Sequence, residues 1–305
     1  MSDPGTLPNP LLGGFWIRPA DDIDADLVVL REAGGVTFHE EPPVPSGYPL
    51  EQGPGSWVIT NLADVLHVSK NADIFSSAAG ITIQDTPPEF REFFSSMIAM
   101  DDPRHTRLRR IVSAGFTPRM LARLEDNVRE LARSIVDQIS DKSEIDFVTD
   151  VAAVLPLKIV CDLMGIPESR YEFVFDRTNV ILGAGDPEYV AESDDILTAI
   201  LTAGQELSEL MMEVAEAKRG GDGTDLTSVL INAELEDDQL SPMDLSSFFI
   251  LLVVAGNETT RNAISWGLKY LTDNPDERAR WQEDFEGLAP QAVEEIVRMA
   301  SRSRT

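Results

Sequence analysis

The residues best suited to chemistry lie together in one run, Ala255-Gly256-Asn257-Glu258-Thr259-Thr260. A carboxylate beside hydroxyls can pass protons, and a glycine inside a helix costs about 1 kcal/mol relative to alanine. Just before it stands Phe248-Phe249-Ile250-Leu251-Leu252-Val253-Val254, apolar on every side, the pattern of a helix buried through the middle of a protein. Two readings of the polar run stay open on the residues alone. In one, the helix emerges into solvent and Thr259 bonds back to a main-chain carbonyl. In the other, Gly256 lets a flat ligand approach the backbone while Glu258 and Thr259 relay protons to a bound species. Renewed apolar positions at Ile264, Trp266, Leu268 and Leu271 predict that the helix stays in the core, which favours the second.

A second group is Asp101-Asp102-Pro103-Arg104-His105-Thr106-Arg107-Leu108-Arg109-Arg110. His105 and Arg109 are four apart, share a helix face and could clamp a carboxylate. Arg107 and Arg110 lie elsewhere on the helix and could meet an acidic partner protein. A solvated basic helix paired with surrounding acids explains the same residues. The spacing of Glu295 and Arg298 suits a helix-surface ion pair, and it recurs from Glu130, Glu216, Glu258 and Glu277, so alone it carries no information. Cys161, the single cysteine, sits in an amphipathic helical stretch and reads as a small core residue. His39 and His67 have no partners at metal-ligand spacing, so no metal site built from protein ligands alone is expected.

The elements that must hold these groups are mostly helical. Residues 1–60 are rich in Pro and Gly, with short extended pieces at Val36–His39 and Trp57–Thr60. From Asn61 helical periods dominate, with helix starts at Asn61, at Asp102-Pro103 and at Thr117-Pro118. Further helices are expected at about 149–164, 169–182, 190–218, 224–233, 242–272, 275–285 and 289–300. The segment 78–99 is loop-like yet apolar, which suits packing or a pocket wall. One mostly helical domain over 1–305 with a small N-terminal sheet is the expected architecture.

Composition narrows the partners. The 305 residues carry 53 Asp+Glu against 25 Lys+Arg, a formal charge of −28. Such acidity argues against nucleic acid or an anionic membrane, both of which need a cationic face. The start has no secretion signal, no apolar run approaches the ~18 residues of a membrane span, and one cysteine fits a reducing compartment. A cytoplasmic location is expected.

Taken in order, these segments resemble the cytochrome P-450 family of haem-thiolate monooxygenases, of the soluble bacterial type. GSWVITNLADVLHVSKNADIFSS is similar to the family's early strand and following helix, MDDPRHTRLRRIVSAGFTPRML to its C helix, and LPLKIVCDLMGIPE to its E helix. VVAGNETTRNAISWGLKYLTDNP resembles the oxygen-side I helix and AVEEIVRMAS the K helix. The resemblance implies haem b (iron protoporphyrin IX), with His105 and Arg109 on its propionates and Met100, Ala255 and Gly256 against it. It implies Glu258 and Thr259 as the acid–alcohol pair serving dioxygen, Glu295 and Arg298 as a structural pair, and a ferredoxin docking near Arg107 and Arg110. The substrate class it suggests is a steroid side chain or branched lipid, held by Ile81, Ile83, Phe90, Phe94, Phe175, Val180 and Ile181; a terpenoid or fatty acid is the alternative. The family's axial cysteine loop has no counterpart here, since Cys161 matches neither its place nor its flanks. The chain is therefore expected to be a P-450 fold incomplete at the C-terminus, and a haem-free fragment or binding remnant is the competing expectation.

Overall fold

Gly34 and Gly35, at φ +116° and +78°, turn the chain from its first helix, α1 (Ala20–Glu32), into β1 (Val36–His39). A computed structural model describes residues 7–43, 52–81, 96–183, 189–190, 195–232 and 240–301. The chain divides into two compact units, Met1–Glu92 with Ile98–Asp101 and Arg298–Thr305, and Phe93–Met97 with Asp102–Val297. In the first, β1 pairs antiparallel with β2 (Ser56–Ile59), in register Val36↔Ile59 and Phe38↔Trp57. α2 (Leu62–Lys70) follows. Gly35 cannot carry a side chain, because a Cβ there would lie 1.9 Å from Asn61 Nδ2. The sheet inverts the usual polarity. Thr37 and His39 point inward, joined Oγ1 to Nε2 at 2.7 Å, while Phe38 and Trp57 face out in an edge-on pair. Burial holds the His39 imidazole below its ordinary pKa.

The second unit is helical: α3 (Arg104–Gly115), α4 (Pro118–Ile139), a π-helical turn (Val148–Ala152), α5 (Val154–Met164), α6 (Tyr171–Leu182), α7 (Ile196–Lys218), α8 (Leu226–Asn232), α9 (Pro242–Asp273), α10 (Pro275–Glu283) and α11 (Phe285–Ala300). α4 starts as its sequence dictates, Thr117 Oγ1 accepting from the Met120 N–H at 3.2 Å with Pro118 at the first helical position. A reciprocal capping box between Ser241 and Asp244 starts α9. Asp244 is buried and takes an ion pair from Arg104 Nη2 at 3.2 Å, which fixes the start of α3 to the start of α9. Leu157, Cys161 and Met164 of α5, Val174 of α6, Leu207 and Met211 of α7, Leu226 of α8 and Phe249 and Val253 of α9 form the core. Of the apolar stretch Phe248–Val254, expected to be buried on every side, Phe248, Phe249, Ile250 and Val253 are buried while Leu251, Leu252 and Val254 are half-buried, so one side of the helix is less covered than its composition suggests.

Beyond Val253 the helix departs from expectation. Gly267 is buried, but Ile264, Trp266 and Leu271 are half-buried and Leu268 is exposed. The second half of α9 is mostly half-buried or exposed, and its residues packed against the core end with Val254.

Candidate functional site

The polar run occupies the middle of α9, where the helix passes from buried to half-exposed. Thr259 is exposed, and its hydroxyl donates to the Ala255 carbonyl at 2.8 Å. That is the back-bond of the structural reading. It leaves the lone pairs of Oγ1 able to accept while its proton is engaged. Glu258 is half-buried, its Oε1 3.5 Å from Arg261 Nη2 one turn on. Ala255 is exposed. The expectation that Gly256 opens the backbone to a flat ligand needs correcting. A Cβ on Gly256 would point at α5 and lie 3.2 Å from Val160 Cγ2, so the glycine admits a neighbouring helix on that side.

Between them, at Asn257, lies a feature the sequence reading missed. The side chain is fully buried, and neither its Nδ2 nor its Oδ1 has a hydrogen-bond partner. Asn257 falls four residues after Val253 and eight after Phe249, so the core period that buries those two buries the amide as well.

On α3, His105 is half-buried, its Nδ1 3.8 Å from Asp102 Oδ1, and Arg109 is exposed on the same face. Among the described residues no hydrogen bond joins either to Glu258 or Thr259. Met100 is buried in the first unit. Phe175, Val180 and Ile181 are half-buried on α6, with Phe175 and Ile181 packed against the core. Ile81 is exposed and lines a cleft of the first unit. Ile83, Phe90 and Phe94 lie outside the described residues. Glu295 and Arg298 stand on exposed positions of α11.

The donors present fit a haem at its rim. A ring nitrogen at His105 and a guanidinium at Arg109, the latter without a protein partner among the described residues, are donor types that suit propionate carboxylates. They do not supply an axial thiolate. Cys161 is sealed in the core, and burial, with Asp162 adding to it, pushes its thiol up to about 12. Among the described residues no cluster of three or more His, Cys, Asp or Glu could hold a metal ion, and no helix is long and apolar enough to cross a membrane.

A mainly helical chain with a two-stranded sheet and a long helix, buried in its first half and carrying an adjacent carboxylate and hydroxyl at its midpoint, has the fold of the solved cytochromes P-450. The chain belongs to the cytochrome P-450 family. The family model, Cytochrome P-450, matches residues 196–300. The chain is 44% identical over 290 residues to a methyl-branched lipid omega-hydroxylase of Mycobacterium tuberculosis, covering 94% of this chain and 66% of that protein. It is 34% identical over 312 residues to a steroid C26-monooxygenase of Mycobacterium bovis, 97% of this chain and 68% of that one. A solved Mycobacterium marinum cytochrome P-450 in complex with pseudoionone superposes with a TM-score of 0.85 at 36% identity, over 96% of this chain and 72% of that one. The chain thus spans about two thirds of the length of these relatives.

Proposed function

We propose that this chain forms most of a haem-dependent monooxygenase that hydroxylates an unactivated C–H bond of an apolar lipid, a methyl-branched chain or a steroid side chain. The observation that supports it is the position of Glu258 and Thr259 on α9, carboxylate and hydroxyl adjacent in sequence where the helix, buried from Asp244 to Ile250 and again at Val253 and Asn257, reaches the margin of the core. His105 and Arg109 would hold the propionates of haem b. Bound haem, reduced by a ferredoxin-type partner in the cytoplasm, supplies the activation of dioxygen. The chain's part is to move protons. Thr259 Oγ1 would hand on its proton after releasing its hydroxyl from the Ala255 carbonyl, and Glu258, freed from Arg261, would take a proton from water and pass it back to Oγ1. Phe175, Val180 and Ile181 supply apolar surface for the substrate. The names of the lipid and steroid hydroxylases above support this substrate class.

The buried, protonated Cys161 favours a second reading for these 305 residues taken alone: a helical scaffold that binds no haem as a thiolate complex. One experiment separates the two. The protein is loaded with haem and supplied with ferredoxin, its reductase, dioxygen and, in turn, a methyl-branched fatty acid, a sterol or a terpene. Mass spectrometry then reads addition of one oxygen atom. Oxygenation of the branched acid or sterol supports the first reading, and Thr259→Ala is then expected to consume reductant without matching product. A protein that takes up no haem and yields no product establishes the second.

A further inference from the structure

Two side chains one turn apart on α9 are short of partners. Asn257 is wholly buried, and neither its Oδ1 nor its Nδ2 has a hydrogen-bond partner. Arg261 keeps only 16% of its side chain exposed. Among the described residues its guanidinium meets one polar group, Glu258 Oε1, at 3.5 Å from Nη2. That is well beyond the roughly 2.7–2.9 Å of a charge-assisted hydrogen bond. Buried polar groups in folded proteins are bonded in about nine cases of ten, and a guanidinium has five donors to place. An amide with nothing and a cation with one slack contact, side by side, call for a common explanation.

Helix geometry supplies it. Residues four apart on a helix have Cβ atoms about 5–6 Å from each other, within easy reach of an arginine side chain. Asn257 stands four residues before Arg261, and Glu258 three. Arg261 therefore has two acceptors one turn behind it, a carboxylate and an amide oxygen. Thr259 does not compete, since its hydroxyl is engaged with the Ala255 carbonyl at 2.8 Å. Nothing outside the fold touches a side chain with no exposed surface, so a partner for Asn257 Oδ1 has to come from beside it. Arg261 is the cationic donor at that spacing.

We propose that Asn257 is a positioning residue: its Oδ1 takes the Arg261 guanidinium when that group leaves Glu258, releasing the carboxylate without stranding a largely buried cation. In the arrangement seen here Arg261 leans toward Glu258 and the amide is unbonded. Removing one partner of a buried charge is strongly unfavourable, so a chain without the amide would keep Arg261 on Glu258. Leucine at 257 would fill the same space and accept nothing. The inference rests on the relay reading of Glu258 and deepens it, by naming the group that makes release from Arg261 feasible.

The test needs no haem. In the full chain, isotope-labelled on arginine and asparagine side chains, NMR follows the Arg261 Nε–H, assigned by its loss in Arg261→Lys. Glu258→Ala takes away the competing carboxylate. In that variant, cross-peaks between the Arg261 guanidinium and the Asn257 amide protons are expected to appear. Exchange of the Arg261 Nε–H with solvent should be about tenfold slower than in the double variant Glu258→Ala, Asn257→Leu. Asn257→Ala replaces Asn257→Leu in the pair if the leucine variant does not fold, and circular dichroism checks the helices throughout. Absence of the cross-peaks, or equal exchange with and without the amide, overturns the proposal. A handover seen in a chain that oxygenates nothing would count against the relay reading alone, and oxygenation without a handover would count against Asn257 alone.

Discussion

Gly256 of α9 stands against Val160 of α5, with 3.2 Å between the position of its missing Cβ and Val160 Cγ2. The contact ties the midpoint of the long helix to the helix that packs beneath it. Alanine at 256 gains about 1 kcal/mol of helix propensity but must push back a β-branched side chain stiff at χ1. Gly256→Ala alone is therefore expected to lose stability, and Val160→Ala in the same chain to restore part of it, with a coupling of about 1 kcal/mol. Urea midpoints of the two single variants and the double variant measure this. Strict additivity would show that the helices do not meet there.

The Asn257 amide is fully buried with no hydrogen-bond partner for either polar atom. An unsatisfied buried polar group costs about 1–3 kcal/mol, and leucine has nearly the same shape. Asn257→Leu is expected to raise the unfolding free energy by at least about 1 kcal/mol. A variant less stable than the parent in thermal or urea unfolding would mean that the amide has a partner in solution.

What could be read from the sequence follows from which interactions are local. Thr117 and Pro118 start α4 as expected because cap and helix are neighbours in the chain. The Asp102-Pro103 start shifts by one residue: the helix begins at Arg104, yet the Asp102 carboxylate still accepts from the Thr106 N–H at 3.0 Å. β1 falls on Val36–His39 as composition suggests, and β2 one residue early. Alternation would not have placed Thr37 and His39 inward, because that choice is made by what lies behind the sheet. The same limit applies on α9. Glu258 and Thr259 are visible as residue types beside an apolar run, but the direction of the space at Gly256 depends on Val160 of α5, about a hundred residues earlier in the chain.

Asp225 ties the end of α7 to the start of α8. It takes Lys218 Nζ at 2.9 Å, the Ser228 N–H at 3.0 Å and the Ser228 hydroxyl at 2.8 Å. Burial pushes its carboxyl up, but the bonds from Lys218 and Ser228 together outweigh it and hold the pKa below the ordinary value. A depressed folded-state pKa contributes stability above the unfolded value, and that stability is lost as pH falls through the folded one. Asp225→Asn is expected to lose about 1–3 kcal/mol at neutral pH. The gap from the parent should close as pH drops below about 3.9. Denaturant unfolding at several pH values checks this; a gap that stays constant into acid would remove the carboxylate from the account.

Gly165 ends α5 at φ +66°, and a Cβ there would meet Asp225 Cγ and Lys218 Nζ, each at 2.5 Å. Gly165→Ala therefore strains the backbone and also displaces the ion pair, and is expected to cost more than the roughly 1 kcal/mol of a left-handed alanine alone. The excess should disappear in an Asp225→Ala background, where the crowding carboxylate is gone. Stability of the double variant equal to the sum of the singles would show that the glycine serves the turn only.

Cys161 supplies the last test. Its thiol is fully buried, and at about 12 its pKa keeps the reactive thiolate scarce at any pH the fold survives. Alkylation by iodoacetamide at pH 8 is therefore expected to proceed only through unfolding, at a rate that rises with urea in step with the loss of helical signal. Tyr171, which donates to Asp162 beside the cysteine, makes a useful perturbation. Tyr171→Phe removes a partly exposed contact without opening the core, so thiol protection should persist. Rapid alkylation of the folded protein at a rate proportional to hydroxide would place Cys161 within reach of solvent, and would reopen it as a ligand.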